Sequence, residues 1–290
     1  MSLPDLLFGP FVEFGFMRRA LAGCLALALS GAPIGTFLIL RRMSLMGDVM
    51  AHAILPGAAI GFLLSGFSLV AMTIGGTIAG LAVALGAGVI ARATPLREDA
   101  SLAAFYLVSL ALGVAIVSTR GSNVDLLHVL FGNVLALDDA ALYLVGGIAT
   151  VTLLSVAAVY RALVVECFNP AFLRAVGGGG GIVHLLFLTL VVLNLVGGFN
   201  ALGTLMVVGL IVLPAAAATF WAESIAGRIA ASALLGLAAS YAGLVVSYHA
   251  GLPASPSIIL VAGGLYVLSI LFGRFGGLVP RALRLRHLEA

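Results

Sequence analysis

The chain has 290 residues, 62% of them hydrophobic and only 9% charged, with a formal net charge of +3 and a mean hydropathy of +1.25. A soluble domain carries about 25% charge, so this composition excludes a sizeable soluble domain and specifies a polytopic integral membrane protein. All 14 basic residues are arginine; a P-loop needs a lysine, so any ATP-driven activity requires a separate ATPase chain.

The apolar runs are long and even, without the alternating segments of about ten residues that a membrane barrel shows, so the fold class is all-α. Residues 1–19 are short and mixed, with Phe8, Phe11, Phe14 and Phe16 ahead of Arg18 and Arg19, and read as an N-terminal interfacial segment. A single transmembrane domain follows over 20–272. Its first span, Ala20–Leu40, is too long and lacks the small-residue end of a cleaved signal peptide. Cys24 in that span and Cys167 in a loop give no disulfide framework.

The second span begins in Arg41–Gly61, RRMSLMGDVMAHAILPGAAIG. Asp48 and His52 are four residues apart, one helical turn, on one face. An ionisable side chain at the bilayer centre costs about 2.5–3.5 kcal/mol on insertion scales, and a carboxylate beside an imidazole is half of a divalent-metal site. Pro56 lacks an N–H, so it removes the helical partner of the His52 carbonyl and predicts a kink there. The alternative is that Asp48 caps the helix while His52 bonds to a neighbouring helix.

The third span is Ser68–Ala91, followed by the polar loop RATPLRED and a fourth span over Ala100–Ser118. Gly121–Asp139 is too polar and short to cross and is expected to lie at the interface or re-enter before the fifth span, Ala140–Tyr160. The longest non-spanning stretch is 161–181, with Arg161 and Arg174. The sixth and seventh spans, Ile182–Val196 and Ala201–Trp221, are expected to be joined by a tight GGFN turn. Spans over Ile225–Tyr248 and Ser257–Phe272 lead to a basic tail, 273–290, with Arg274, Arg281, Arg284 and Arg286. Counting back from a cytoplasmic tail puts Arg228, Arg161, Arg92, Arg97, Arg41 and Arg42 on the cytoplasmic side. Arg18 and Arg19 oppose this pattern, so eight or nine transmembrane helices are expected. Gly31/Gly35, Gly57/Gly61 and Gly76/Gly80 are GxxxG pairs suited to close helix packing. The arginine pattern is that of membrane topology and does not point to nucleic acid.

RRMSLMGDVMAHAILPG resembles the G-D-x-x-x-H-x-x-L-P-G signature of the membrane (permease) subunits of ABC-type zinc/manganese transporters. Three further blocks resemble that family in the right order: NVDLLHVLFGNVLALD, YRALVVECFNPAFLRAVG and ALGTLMVVGLIVLPAAAATFW, so the likeness covers roughly Arg19 to Phe272. The resemblance implies a multi-pass subunit of a bacterial-type cytoplasmic membrane, working as a homodimer on cytoplasmic ATPase subunits. An extracytoplasmic solute-binding protein would deliver the metal. No cofactor is implied as permanently bound: Zn²⁺ or Mn²⁺, with Fe²⁺ also admitted, is cargo, and ATP is used by the partner. Carried onto this chain, Asp48 and His52 are the metal-contacting residues. The loop 161–181 is the coupling segment, with Glu166, Phe168, Asn169 and Pro170 at the ATPase contact. The family often has Asp where this chain has Asn169. Without the resemblance, that loop reads as a plain connector.

Asn194 is the strongly polar side chain deep in the sixth span. Its carbonyl oxygen suits a hard or borderline cation, and the resemblance suggests a pathway-facing position; the alternative is an interhelical hydrogen bond. His184 is expected at the interface. His128, beside Asp125, and His249 are candidates for a transient metal relay or for structural, solvent-facing roles. His287 in the tail receives no role. A sparse site of carboxylate, imidazole and amide suits passage, where a closed four-ligand cage would trap zinc. ATP-driven rocking of the two subunits would expose it to each side in turn, and protons would compete with metal. The alternative is a proton-coupled secondary metal-ion carrier, for which no inverted repeat is visible. An intramembrane zinc protease would need H-E-x-x-H, which the chain lacks, so the chain is not expected to be an enzyme.

Overall fold

The computed structural model describes residues 3–43, 45–66, 68–95, 98–119, 135, 137–175, 177 and 179–281. Most of the segment expected to be interfacial or re-entrant before the fifth span, including Asp125 and His128, lies outside the described residues, as do Arg284, Arg286 and His287.

The chain is all-α and polytopic. Its helices are α1 (Leu3–Glu13), α2 (Gly15–Leu40), α3 (Met46–Ala53), α4 (Leu55–Ser65), α5 (Leu69–Ala93), α6 (Glu98–Thr119), α7 (Asp139–Phe168), α8 (Pro170–Ala175), α9 (Gly180–Leu202), α10 (Thr204–Ala218), α11 (Ile225–Ala250) and α12 (Ala254–Phe272). Among the described residues, seven helical stretches are long and apolar enough to cross a membrane, with α3 and α4 counted together. Ala100–Ile116 of α6 and Thr204–Ala218 (α10) are apolar but shorter.

Side-chain contacts fix which helix ends lie together. At one end Arg19, near the start of α2, pairs with Asp139 at the start of α7 (3.3 Å). At the other end Arg41, just past α2, bonds to Cys167 in the last turn of α7 and to His184 in the first turn of α9. Trp221, past α10, donates to Ser269 in the last turn of α12, so these two helices also finish together. The second end carries Arg41, Arg42, Arg161, Arg228 and Arg274, and is the end that the positive-inside rule expects in the cytoplasm. Arg18 and Arg19 sit at the opposite end, where Asp139 offsets one of their charges.

The centre of the bundle is α2. Of its apolar window 72% is buried, against 22% for α7 and 28% for α12, which present most of their surface outward. Ile34 and Phe37 of α2, Phe187 of α9, Met206 of α10 and Ile258 of α12 are fully enclosed. With lipid tails as apolar as leucine, helices associate by close packing, and small residues permit it. All three GxxxG pairs are used this way. Gly31 and Gly35 receive Ile211 of α10, and Gly76 and Gly80 receive Val196 and Val192 of α9. Gly57 and Gly61 lie against the backbone of Gly75 and Ala71 in α5.

Two sequence expectations change. The GGFN stretch is helical: α9 continues to Leu202 and the chain reverses at Gly203, whose φ of 92° is open to glycine and strained for other residues. The helix of the fifth span is 30 residues long and runs to Phe168, so the first residues of the stretch 161–181 continue it toward the arginine-rich end.

Candidate metal site

The helix carrying Asp48 and His52 is launched from a tight corner. Arg42 N–H bonds to the Ile39 carbonyl and Met43 N–H to the Leu38 carbonyl, the paired bonds that close a helix C-terminus. The residue that turns the corner is Arg42, with φ 59°, a conformation that costs a non-glycine residue about 1–2 kcal/mol. Met43 is buried and anchors the exit.

In α3, Met46, Gly47, Met50, Ala51 and Ala53 are buried. Asp48 is on the exposed face, and His52, one turn on, is half-buried. Asp48 does not cap the helix: the N-cap is Leu45, which makes no side-chain bond. Among the described residues Asp48 has neither an ion pair nor a hydrogen bond. The His52 Nδ1 is buried without a partner, which leaves Nε2 as the nitrogen open to a ligand. The imidazole lies against the Tyr106 ring of α6, with centroids 6.1 Å apart and planes at 30°.

Pro56 breaks the span as its chemistry predicts. Helix α3 ends at Ala53, Ile54 forms the joint, and α4 starts at Leu55 with the proline in its first turn. The His52 carbonyl is not left wholly open, because the Ile54 N–H turns toward it and toward the Met50 carbonyl. The Ala53 carbonyl accepts from the Ser109 hydroxyl of α6 at 2.7 Å.

Asn194 is 2% exposed. Its Nδ2 donates to Thr152 Oγ1 of α7 (2.6 Å) and to the Leu190 carbonyl (2.8 Å), while Oδ1 is buried without a partner. Val192 and Val196, two residues to either side, face Gly80, Gly76 and Ile54. Asn194 therefore points from the opposite side of α9, away from the broken span. The structure brings Asp48 and His52 together and does not bring Asn194 to them. His249 lies exposed in the last turn of α11, edge-on to Tyr248 (5.2 Å). Among the described residues no three His, Cys, Asp or Glu side chains gather as a metal cluster.

Residues 13–273 match the ABC 3 transport family. The chain belongs to that family. It is 30% identical over 285 residues to the manganese transport system membrane protein MntC of Halalkalibacterium halodurans, covering 98% of this chain and 96% of that one. It is 32% identical over 257 residues to the manganese import system permease protein ScaB of Streptococcus gordonii, covering 89% and 91%. Among solved structures, PsaBC from Streptococcus pneumoniae in complex with Fab superposes with a TM-score of 0.82 at 30% identity, covering 98% of this chain and 100% of that one. This ABC 3 family chain is thus a multi-pass protein of the bacterial cytoplasmic membrane.

At the arginine-rich end of this permease, Glu166 is half-buried with Oε2 unpartnered, and Phe168 is 69% exposed. Asn169 ends α7, and its Oδ1 accepts from Phe172 N–H at 2.9 Å, capping the short helix α8 that Pro170 opens. Sequence reasoning missed a neighbouring cluster. Arg41 donates to His184 Nδ1 (2.7 Å) and Cys167 Sγ (3.3 Å), and its guanidinium lies over the Phe187 ring (4.6 Å). An arginine has no acceptor, so His184 accepts through Nδ1. His184, expected at the interface, is also held by a cation, a contact between residues far apart in the chain. The available signal was an arginine doublet one helix turn from a signature motif, which positive-inside reasoning absorbed. Tyr106 and Ser109, both against the broken span, were also missed.

Proposed function

We propose that this chain is the membrane subunit of an ATP-driven importer of divalent metal ions, with manganese as its first substrate, and that Asp48 and His52 contact the ion in the pathway. The observation that carries this reading is the exposed Asp48 beside His52, two metal donors on the outward face of a span that is otherwise apolar. Lipid against that face would make the carboxylate costly. A second copy of the chain, facing the first there, removes the cost and doubles the donors to two carboxylates and two imidazoles. Water completes such a set to the six-coordinate, oxygen-rich shell that Mn²⁺ accepts, and zinc and iron(II) remain admissible. Asn194, turned toward α7, acts in helix packing.

The ATPase is a separate chain, because no lysine exists to build a P-loop. The exposed Phe168 and the capped helix at Asn169 and Pro170 support docking on that ATPase, with Glu166 beside them. An extracytoplasmic solute-binding protein would load the outer side, near which His249 lies. Metal loading releases protons, since Asp48 must be ionised and the ligand nitrogen of His52 unprotonated. The secondary-carrier reading has no observation in its favour.

The test is uptake of manganese, zinc and iron, assayed side by side in cells carrying the ATPase and binding-protein partners, for wild type, Asp48→Ala and His52→Ala. The expected result is loss of Mn²⁺ uptake in both variants while the complex still assembles. Normal uptake by both variants would return Asp48 and His52 to structural roles.

A further inference from the structure

One strip of α6 holds the broken span at three successive points. Tyr106, Ser109 and Gly113 are three and four residues apart, so they share a helix face. The Tyr106 ring lies against the His52 imidazole. The buried Ser109 donates to the Ala53 carbonyl, the next residue along. At Gly113 the α6 backbone comes so close that a Cβ would stand 3.0 Å from Leu55 Cβ and 3.1 Å from Pro56 N. The face of α6 and the joint at Ile54 thus fit as one unit.

A metal-binding histidine ordinarily has its ring fixed by a hydrogen bond from its other nitrogen to a carbonyl or carboxylate. His52 lacks that bond, because its Nδ1 is buried and unpartnered. The ring orientation is left to the Tyr106 face on one side and to the carbonyl anchor at Ala53 on the other. We propose that Tyr106 and Ser109 are positioning residues that aim the His52 Nε2 at the transported ion, and that Tyr106 sets the preference for manganese over zinc. The proposal rests on the reading of His52 as a metal contact. Raw affinity favours Zn²⁺ over Mn²⁺ at nitrogen and oxygen donors, so selectivity for manganese has to come from imposed geometry. A ring held in place can impose it; a ring free to turn relaxes toward the shell zinc prefers.

The experiment is direct binding, which avoids the affinity of any delivery protein. The purified complex of this chain with its ATPase is titrated with Mn²⁺, and the free aquo ion is followed by its EPR signal, with and without competing Zn²⁺. Y106F retains the ring and is expected to bind as wild type. Y106A is expected to weaken Mn²⁺ binding about tenfold, the lower end for loss of a group that orients a ligand, and to lower the Mn²⁺/Zn²⁺ preference. S109A moves Mn²⁺ affinity in the same direction. Where Y106A fails to reach the membrane, Y106L fills the volume without the ring and is expected to give the same result. Unchanged Mn²⁺ affinity and zinc competition in Y106A or Y106L overturn the proposal. H52A separates the positioning role of Tyr106 from the metal contact of His52. If H52A abolishes binding while Y106A is unaffected, the positioning role alone fails; if H52A binds as wild type, both readings fail.

Discussion

Asn194 on α9 donates its side-chain amide to Thr152 on α7 at 2.6 Å, in a region both residues occupy with almost no exposure. The same Nδ2 also reaches the Leu190 carbonyl, which can only accept, so the amide orientation follows from the bonding pattern. Interhelical polar bonds of this kind join spans where lipid supplies no hydrophobic drive. Asn194→Asp keeps the shape but turns an acceptor toward the Leu190 carbonyl and adds a buried charge. It is expected to lower the yield of assembled protein sharply. Thr152→Val is milder, at about 1–3 kcal/mol for the orphaned partner. Thermal unfolding of the purified protein checks both, and Mn²⁺ affinity of folded Thr152→Val is expected to match wild type.

The crossing of α4 and α5 gives a second prediction. A Cβ on Gly57 would run into the Gly75 carbonyl, and one on Gly75 into the Gly57 carbonyl. Both are backbone atoms that cannot swing aside, so Gly57→Ala must separate the helices, at about 1–3 kcal/mol or more. Gly263 on α12 has no atom near its would-be Cβ. Gly263→Ala is therefore expected to be neutral or stabilising by up to about 1 kcal/mol through helix propensity. Comparing the melting temperatures of the two variants separates tight packing from a general intolerance of alanine.

Sidedness is testable with thiols. Arg19 and Asp139 share the end opposite Arg42, and their exposed ion pair contributes about 0–1 kcal/mol, so either can be replaced without loss of fold. Arg19→Cys and Asp139→Cys, in a Cys167→Ser background, are expected to react with a membrane-impermeant maleimide in intact cells. Arg42→Cys should react only after permeabilisation. Labelling of Arg42→Cys in intact cells would invert the topology.

The fold class, the approximate spans and the proline break were legible because each rests on local chemistry: continuous apolar length, arginine at the ends and a missing N–H at Pro56. The Asp48/His52 pair was legible for the same reason, since residues four apart in a helix must share a face. The reversal at Gly203 was not, because glycine is frequent enough in this chain that GGFN and the next glycine offer equal turn signals. The direction of Asn194 depends on which neighbour lies on each side of α9, and the Arg41–His184 contact joins residues 143 positions apart. No periodicity within one segment encodes either of these. Tyr106 had a weak signal: a tyrosine, a serine and a glycine on one face of an apolar helix. That strip gains meaning only once the broken span is seen against it.

Asn169 tests how far the departure from the family's usual aspartate matters. Its side chain caps α8 through Phe172 N–H, and Asn and Asp cap a helix about equally well. Asn169→Asp is therefore expected to preserve the short helix, binding of the ATPase and metal uptake. Asn169→Ala removes the cap, at about 1 kcal/mol, on a helix of only 6 residues. Co-purification of the ATPase should fall in Asn169→Ala, and Phe168→Ala should reduce it further by removing an exposed aromatic side chain beside the cap. Equal ATPase recovery from wild type, Asn169→Ala and Phe168→Ala would move the docking surface away from the junction of α7 and α8. Loss of recovery in Asn169→Asp alone would show that charge, and not the cap, governs the contact.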